Sequence, residues 1–303
     1  MKKERSKKYR LLQKARILTQ LFFFGFFFIL LLKTRFPGED YISNVEGFFH
    51  WNPLLALTTT IASRVFFVAF LPAIITLVLT IFLGRVACGW VCPLGSLHQF
   101  FSYLFKRTKL HRPKKIQDNH TAWKYYLFVF ILVSAVFTLD MVGLFDPFSF
   151  LYRSIVVGVL PSLSYGFSAF IGLFYQLNLT GIGDPLIQFF ENLDINAIFL
   201  QGFFIGAIFI GIVLMNMVRE RFWCRYICPL GAMLGLFSRW NLFELKIDKD
   251  RCIDCGLCTI QCQTQANPFP NEGWKSSECV YCFTCGAICP TNAITFPAKF
   301  APE

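Results

Sequence analysis

Apolar runs separated by charged loops set the pattern of the chain. The first run is residues 17–32, ILTQLFFFGFFFILLL. At sixteen residues it falls short of the roughly 20 needed to cross a ~30 Å hydrocarbon layer, so Ala15 and the stem of Lys33 complete it. The second run, about 65–84, contains Pro72, which predicts a kink. The third covers about 125–145 and the fourth about 198–218. Two further stretches are too apolar for loops. In FFHWNPLLALTTTIASR (48–64) Pro53 suits a helix N-terminus, and an interfacial or re-entrant helix on the outer face is expected. Residues 155–175 could span, but parity argues against it. Residues 176–197 carry Asp184, Glu191 and Asp194 with no Lys or Arg, so both ends lie outside. Gly158, Pro161, Gly166 and Gly172 then fit a broken helix that dips in. The predicted fold is an α-helical polytopic membrane protein of about four spans.

Charge fixes the orientation. The net charge is +11, with 16% charged and 55% hydrophobic residues. Residues 1–16 carry eight basic residues against Glu4, and residues 85–124 carry another eight against Asp118. Basic residues concentrated in short membrane-flanking loops mark the cytoplasmic side. The N-terminus (1–16) is therefore cytoplasmic, and so is the segment after the fourth span. Topology accounts for the positive charge, and nucleic-acid binding is not expected. No small-residue cleavage site follows Leu32, so the first run reads as an uncleaved signal anchor.

The membrane part, 17–240, repeats itself, once over 17–101 and once over 125–237. Each half runs span, then Trp51-Asn52-Pro53-Leu54 or Phe145-Asp146-Pro147-Phe148, then span, then a cysteine motif. The motifs are RVACGWVCPLG (85–95) and RFWCRYICPLG (221–231). Two halves packed about a pseudo-two-fold axis along the membrane normal would bring Cys88, Cys92, Cys224 and Cys228 together at the cytoplasmic face. C-x3-C puts two side chains on one helical face. The quartet is a candidate third thiolate site, for iron–sulfur or another soft metal. Redox-active thiol pairs and buried structural cysteines are the alternatives.

All twelve cysteines fall in such motifs. None remains for a structural disulfide, and free thiolates imply a reducing compartment. The other eight lie in 241–303 as two C-x2-C-x2-C-x3-C runs, the spacing of two [4Fe–4S] cubanes, in which each run's fourth cysteine crosses to the other cluster. That assigns Cys252, Cys255, Cys258 and Cys289 to the first cluster and Cys279, Cys282, Cys285 and Cys262 to the second. Zinc sites are usually separate C-x2-C knuckles. A C-terminal α+β ferredoxin-like domain with two [4Fe–4S] clusters follows. Four histidines are present. His50 outside and His98 inside argue against an intramembrane bis-His haem, and His98 is expected to be a surface or hydrogen-bonded residue more than a tuner of the first motif. Asn52-Pro53 and Asp146-Pro147 border a quinone pocket or simply turn the chain. Nucleotide-loop, flavin-binding and hydrolytic signatures are missing.

The two C-x3-C-P motifs, the spans and the double-cubane module together resemble the NapH-type membrane ferredoxins, whose relatives include the NosR, MauN and CcoG/RdxA (FixG) proteins. The resemblance covers nearly the whole chain, and GRVACGWVCPLG (84–95) is its most specific element. One departure is Gln263, where the family pattern has Pro after the crossing cysteine, which weakens that turn. The resemblance implies a multi-pass inner-membrane electron-transfer subunit linking the quinol pool to a periplasmic-reductase-type respiratory chain, with membrane lipid and soluble iron–sulfur or reductase subunits as partners. Any enzymatic role would be quinol oxidation within an oxidoreductase system. The CcoG branch implies an alternative, a metalloenzyme assembly factor with cupric-reductase-like activity.

Overall fold

The computed structural model describes residues 2–33, 46–108, 119–163, 166, 202–269 and 273–299. The outer loop after Lys33, the basic loop 109–118 and the stretch 176–197 lie outside the described residues. So does most of the expected dip at 155–175 beyond Leu163.

The chain begins with α1 (Lys2–Lys33), 32 residues long. Its Lys7–Leu31 stretch is, among the described residues, the one helix long and apolar enough to cross a membrane. The helix does more than the hydropathy pattern suggests. Tyr9, Arg16, Gln20, Phe27 and Leu31 are buried, a helical stripe that runs from the basic segment into the apolar one. The basic extension of α1 is therefore packed structure.

Short helix α2 (Glu46–His50) precedes α3 (Pro53–Ser63). The second apolar run appears as α4 (Leu71–Leu83) after a 3₁₀ turn, with Pro72 in its first turn rather than at a mid-helix kink. Pro is tolerated there because first-turn amides have no helical partner. Then come α5 (Val86–Trp90) and α6 (Pro93–Arg107). The third run is broken into two helices, the longer being α7 (Trp123–Val136). At 1.5 Å per residue that is about 20 Å, well short of 125–145. Thr138, at φ +62°, breaks it, and α8 (Val142–Phe145) follows. Helix α9 (Pro147–Arg153) passes into a π-helical turn, Ser154–Val159, which packs on α10 (Gly202–Leu214). A Cβ at Gly158 or Gly202 would come within 2.9 and 2.4 Å of the facing backbone, so small residues set this approach. The second half closes with α11 (Phe222–Tyr226) and α12 (Pro229–Phe237).

Helices α3 and α9 explain how the halves join. Asn52 is the N-cap of α3 and accepts from the Leu54 and Leu55 amides. Asp146 is the N-cap of α9 and accepts from Phe148 and Ser149. The Asn52 side-chain amide donates to the Asp146 carboxylate. Both residues are fully buried. The N-P and D-P elements thus turn the chain into two inward-pointing helices whose N-termini meet. They lie in the core rather than on the outer surface, because α3 packs against α4, α7 and α12.

The ferredoxin-like module follows α12. Strands β1 (Lys246–Ile247) and β2 (Ile294–Thr295) pair antiparallel, tying its two ends together. Each cysteine run contributes one short helix, α13 (Leu257–Ile260) and α14 (Thr284–Ile288). The module is held to the membrane part by the Leu242 amide on the Phe82 carbonyl (3.0 Å) and by Tyr9, whose ring packs between Phe283 and Phe296.

Candidate iron–sulfur sites

Each C-P-L-G motif builds the same local structure. Helix α5 ends with the Cys92 amide reaching back to the Ala87 carbonyl (3.0 Å), and α11 ends with Cys228 on Trp223 (2.9 Å). Cys92 and Cys228 then take extended backbone (ψ 117° and 108°) and become the N-caps of α6 and α12. The following proline forbids helix at these residues and opens the next one. This corrects the expectation that C-x3-C presents both thiols on one continuous helical face: the first cysteine sits in one helix, and the second caps another. The Cys228 sulfur accepts from the Gly231 amide at 3.2 Å. The glycine is needed at this third position. A Cβ on Gly95 would lie 2.8 Å from the Cys88 carbonyl, and one on Gly231 2.7 Å from Arg85 Nη2.

The four thiols of the two motifs converge. Every pair among Cys88, Cys92, Cys224 and Cys228 lies within electrostatic range. Burial and mutual repulsion push the Cys92, Cys224 and Cys228 thiols up, so without a cation they stay protonated. The second ferredoxin quartet behaves alike: Cys262, Cys279, Cys282 and Cys285 are all within mutual range. The first is looser and nearer solvent. Cys252, Cys255, Cys258 and Cys289 line one small cavity with Ile247, Leu257 and Phe269, and Cys255 is exposed. The two crossing cysteines have matching surroundings. Cys262 accepts from the Ala266 amide (3.3 Å) and Cys289 from Ala293 (3.4 Å). Gln263 in place of Pro has not opened this turn.

A single ion draws its donors to about 2.3 Å from one point. Among the described residues no three His, Cys, Asp or Glu side chains converge in that way. A cubane is a larger body, and its cysteines stand around it. All-thiolate donor sets suit iron–sulfur clusters. The charges fit as well. The buried ionised side chains among the described residues are Arg16, Arg85, Lys124, Arg221 and Arg225 against Asp146 and Glu278. Five buried cations thus stand beside two buried carboxylates. Buried charge needs compensation, and the thiolates of bound clusters would supply it.

The module and the core meet at the quartet. Gly89, between Cys88 and Cys92, lies against Val280; a Cβ there would come 2.5 Å from the Val280 carbonyl. Trp90 Nε1 donates to the Tyr281 carbonyl (3.2 Å). Gly84, at φ +75°, leaves room for the Tyr281 ring, which a Cβ would approach to 2.5 Å. Behind this contact lies a buried ion triad. Glu278 receives Arg85 Nη1 (3.1 Å), Lys124 Nζ (2.6 Å) and the Tyr125 hydroxyl (3.2 Å). Burial alone would raise the Glu278 pKa, but Arg85 and Lys124 hold it below the usual carboxylate range. Lys124 is lowered to about 8, because burial and Arg85 outweigh Glu278. The sequence does not disclose this triad: Arg85 stands out there as a repeated motif residue, and Lys124 only as loop charge.

Two of the four cysteines, Cys88 and Cys92, also line an apolar cavity of about 550 Å³. Its walls include Phe26, Trp51, Pro53, Leu79, Cys88 and Cys92. Of the histidines, His98 is fully buried rather than on the surface, with Nδ1 2.7 Å from Asn216 Nδ2.

Comparisons with known proteins identify 4Fe-4S binding domains in the chain. A family model described as a 4Fe-4S binding domain matches residues 65–112 and 201–249, the two C-x3-C-P regions. A second 4Fe-4S binding domain model matches 245–266. An uncharacterized protein of Methanocaldococcus jannaschii is 31% identical over 232 residues, 75% of this chain and 78% of that protein. Another from the same organism is 26% identical, over 74% and 69%. The methylamine utilization ferredoxin-type protein MauN of Paracoccus denitrificans is 24% identical, over 59% of this chain and 48% of its own. No solved structure matches the chain. The chain belongs to the family of ferredoxin-type membrane proteins that includes MauN and NosR.

Proposed function

We propose that this protein is a multi-pass inner-membrane electron-transfer subunit that exchanges electrons between a membrane quinol and a respiratory redox chain. Cys252, Cys255, Cys258 and Cys289 would hold one [4Fe–4S] cluster, and Cys262, Cys279, Cys282 and Cys285 the other. Cys88, Cys92, Cys224 and Cys228 would hold a third iron–sulfur centre. Bound clusters supply one-electron redox chemistry. The protein's own residues set its surroundings: Gly89 and Gly84 admit the 280–281 loop, the Glu278 triad fixes it, and buried cations favour thiolates.

The observation that carries the reading is the position of the Cys88–Cys92–Cys224–Cys228 quartet. The ferredoxin module contacts its loop at Gly89, and the apolar cavity reaches Cys88 and Cys92. The cavity volume is within the usual range for small-ligand pockets, and its lining suits a hydrophobic ring and tail. In the membrane reading the apolar runs 65–84, 125–145 and 198–218 accompany α1 as spans. They are carried by the shorter apolar helices Val68–Leu83, Trp123–Val136 and Gly202–Met217, with the N-terminus and the module cytoplasmic. The test is to mix cluster-replete protein with a short-chain quinol under anaerobic conditions. Bleaching of the visible iron–sulfur absorption supports the reading. An unchanged spectrum with every quinol and quinone tried contradicts it.

A further inference from the structure

Arg16 occupies a position that the proposed function leaves unexplained. It sits on α1 and is 2% exposed. Its Nε donates to the Gly89 carbonyl (3.1 Å), inside the first C-x3-C loop. Its Nη1 reaches the Cys282 carbonyl (3.5 Å), and its Nη2 reaches Gln263 Oε1 (3.4 Å), the residue after Cys262. One guanidinium thus touches the backbone of the core quartet and both cysteine runs of the module. Gln20, one turn on, donates to the same Gly89 carbonyl (2.7 Å).

Arg16 has no carboxylate partner among the described residues. Its remaining hydrogen bond goes to Gln99 Oε1, and Arg221 Nη2 donates to that same oxygen at 2.6 Å. Arg221 is 1% exposed, and its Nε and Nη1 meet no acceptor among the described residues. Two buried guanidiniums sharing one neutral oxygen repel each other. A protein keeps such a pair only where an anion nearby offsets the cost. Cys282 lies within electrostatic range of Arg16 and Cys224 within range of Arg221, and as cluster ligands both would carry that negative charge. Gln263 also gains a reason: its side chain accepts from Arg16, which a proline could not do.

We infer that Arg16 is a positioning residue set between the module's second cysteine quartet and the core quartet, and that its fixed positive charge favours the more reduced, more negative state of the iron–sulfur centres on either side. This rests on the cluster assignments above. The first-run site has no such contact with Arg16, so the effect should be selective.

The experiment is an electron-paramagnetic-resonance redox titration of parent, Arg16→Gln and Arg16→Lys proteins, with iron and sulfide counted on the same samples. The expected result is unchanged iron content, a lower midpoint potential in Arg16→Gln for the signal of each centre flanking Arg16 with the first-run signal unmoved, and recovery of most of that shift in Arg16→Lys. Equal potentials in parent and Arg16→Gln would overturn the inference. So would an Arg16→Lys protein that matches Arg16→Gln, because the fork and not the charge would then matter. If Arg16→Gln fails to assemble, Gln99→Glu places a carboxylate on the arginine pair; the same signals should move down, and unmoved signals would be equally fatal. Failure of the cluster assignment itself would show separately, as iron content too low for two ferredoxin clusters in the parent.

Discussion

Replacing Glu278 by Gln should loosen the junction between module and core by about 3–4 kcal/mol. The substitution keeps the shape but leaves Arg85 (2% exposed) and Lys124 (0%) as buried cations without their carboxylate. Lys124 can shed its proton, and that limits its share. At pH 7.5 a lysine lowered to about 8 already bears most of the roughly 4 kcal/mol that discharging an ordinary lysine would cost. Further discharge adds only about 1 kcal/mol. Arg85 cannot discharge. Losing its charge-assisted bond to Glu278 costs about 2–3 kcal/mol, although its bond to the Ser277 carbonyl (2.7 Å) remains. The sum agrees with the usual 3–5 kcal/mol for breaking one partner of a buried pair. Thermal unfolding in detergent should then fall by about 5–15 °C. A second substitution gives a sign test. Lys124→Met should destabilise the parent but partly rescue Glu278→Gln, because there it removes an unpaired charge. A Glu278→Gln protein melting within about 1 °C of the parent would refute the argument. So would Lys124→Met having the same sign in both backgrounds.

Other outcomes follow from single contacts. His98 is lowered to about 4 by burial, so the unfolded chain takes up a proton near pH 6.5 that the folded one refuses. Its contribution to stability is complete above about pH 6.5 and falls away toward pH 4, by about 3 kcal/mol in all; melting temperatures across that range should fall less steeply in His98→Gln than in the parent. Gly89→Ala should cost about 1–3 kcal/mol of stability by overpacking against the Val280 carbonyl, detected as a lower melting temperature and faster proteolysis of the module. Leu79→Trp narrows the apolar cavity and should weaken binding of a quinone analogue about tenfold or more, about 1.4 kcal/mol, with iron content unchanged; equal binding would remove the cavity from the account.

The chemistry is more legible in the sequence than the packing. Metal-ligand spacing is local, so the two C-x2-C-x2-C-x3-C runs can be assigned residue by residue, and the internal repeat alone is enough to group Cys88, Cys92, Cys224 and Cys228. Hydropathy finds the apolar runs but not their ends. Thr138 stops the third helix early, and Pro72 opens a helix instead of bending one, because a window average does not see caps and turns. Asn52 and Asp146 are legible as N-P and D-P turns. Their meeting in the core is not, since pairing across 94 residues leaves no local signature. The same holds for Glu278 with Arg85 and Lys124. Arg16 does carry a local signal, because its helical register with Tyr9, Gln20 and Phe27 continues the buried stripe of α1. Eight basic residues among the first sixteen mask it, since net charge alone gives each of them the same meaning.

In the proposed function the core quartet is a third iron–sulfur site beside the two of the module. Iron and acid-labile sulfide per chain, counted in the parent and in the Cys88→Ser, Cys224→Ser double variant, test it most directly. Two [4Fe–4S] clusters account for about eight iron atoms. More than about eight are expected in the parent and a fall to about eight in the variant, with the module's signals retained. About eight in both would contradict it.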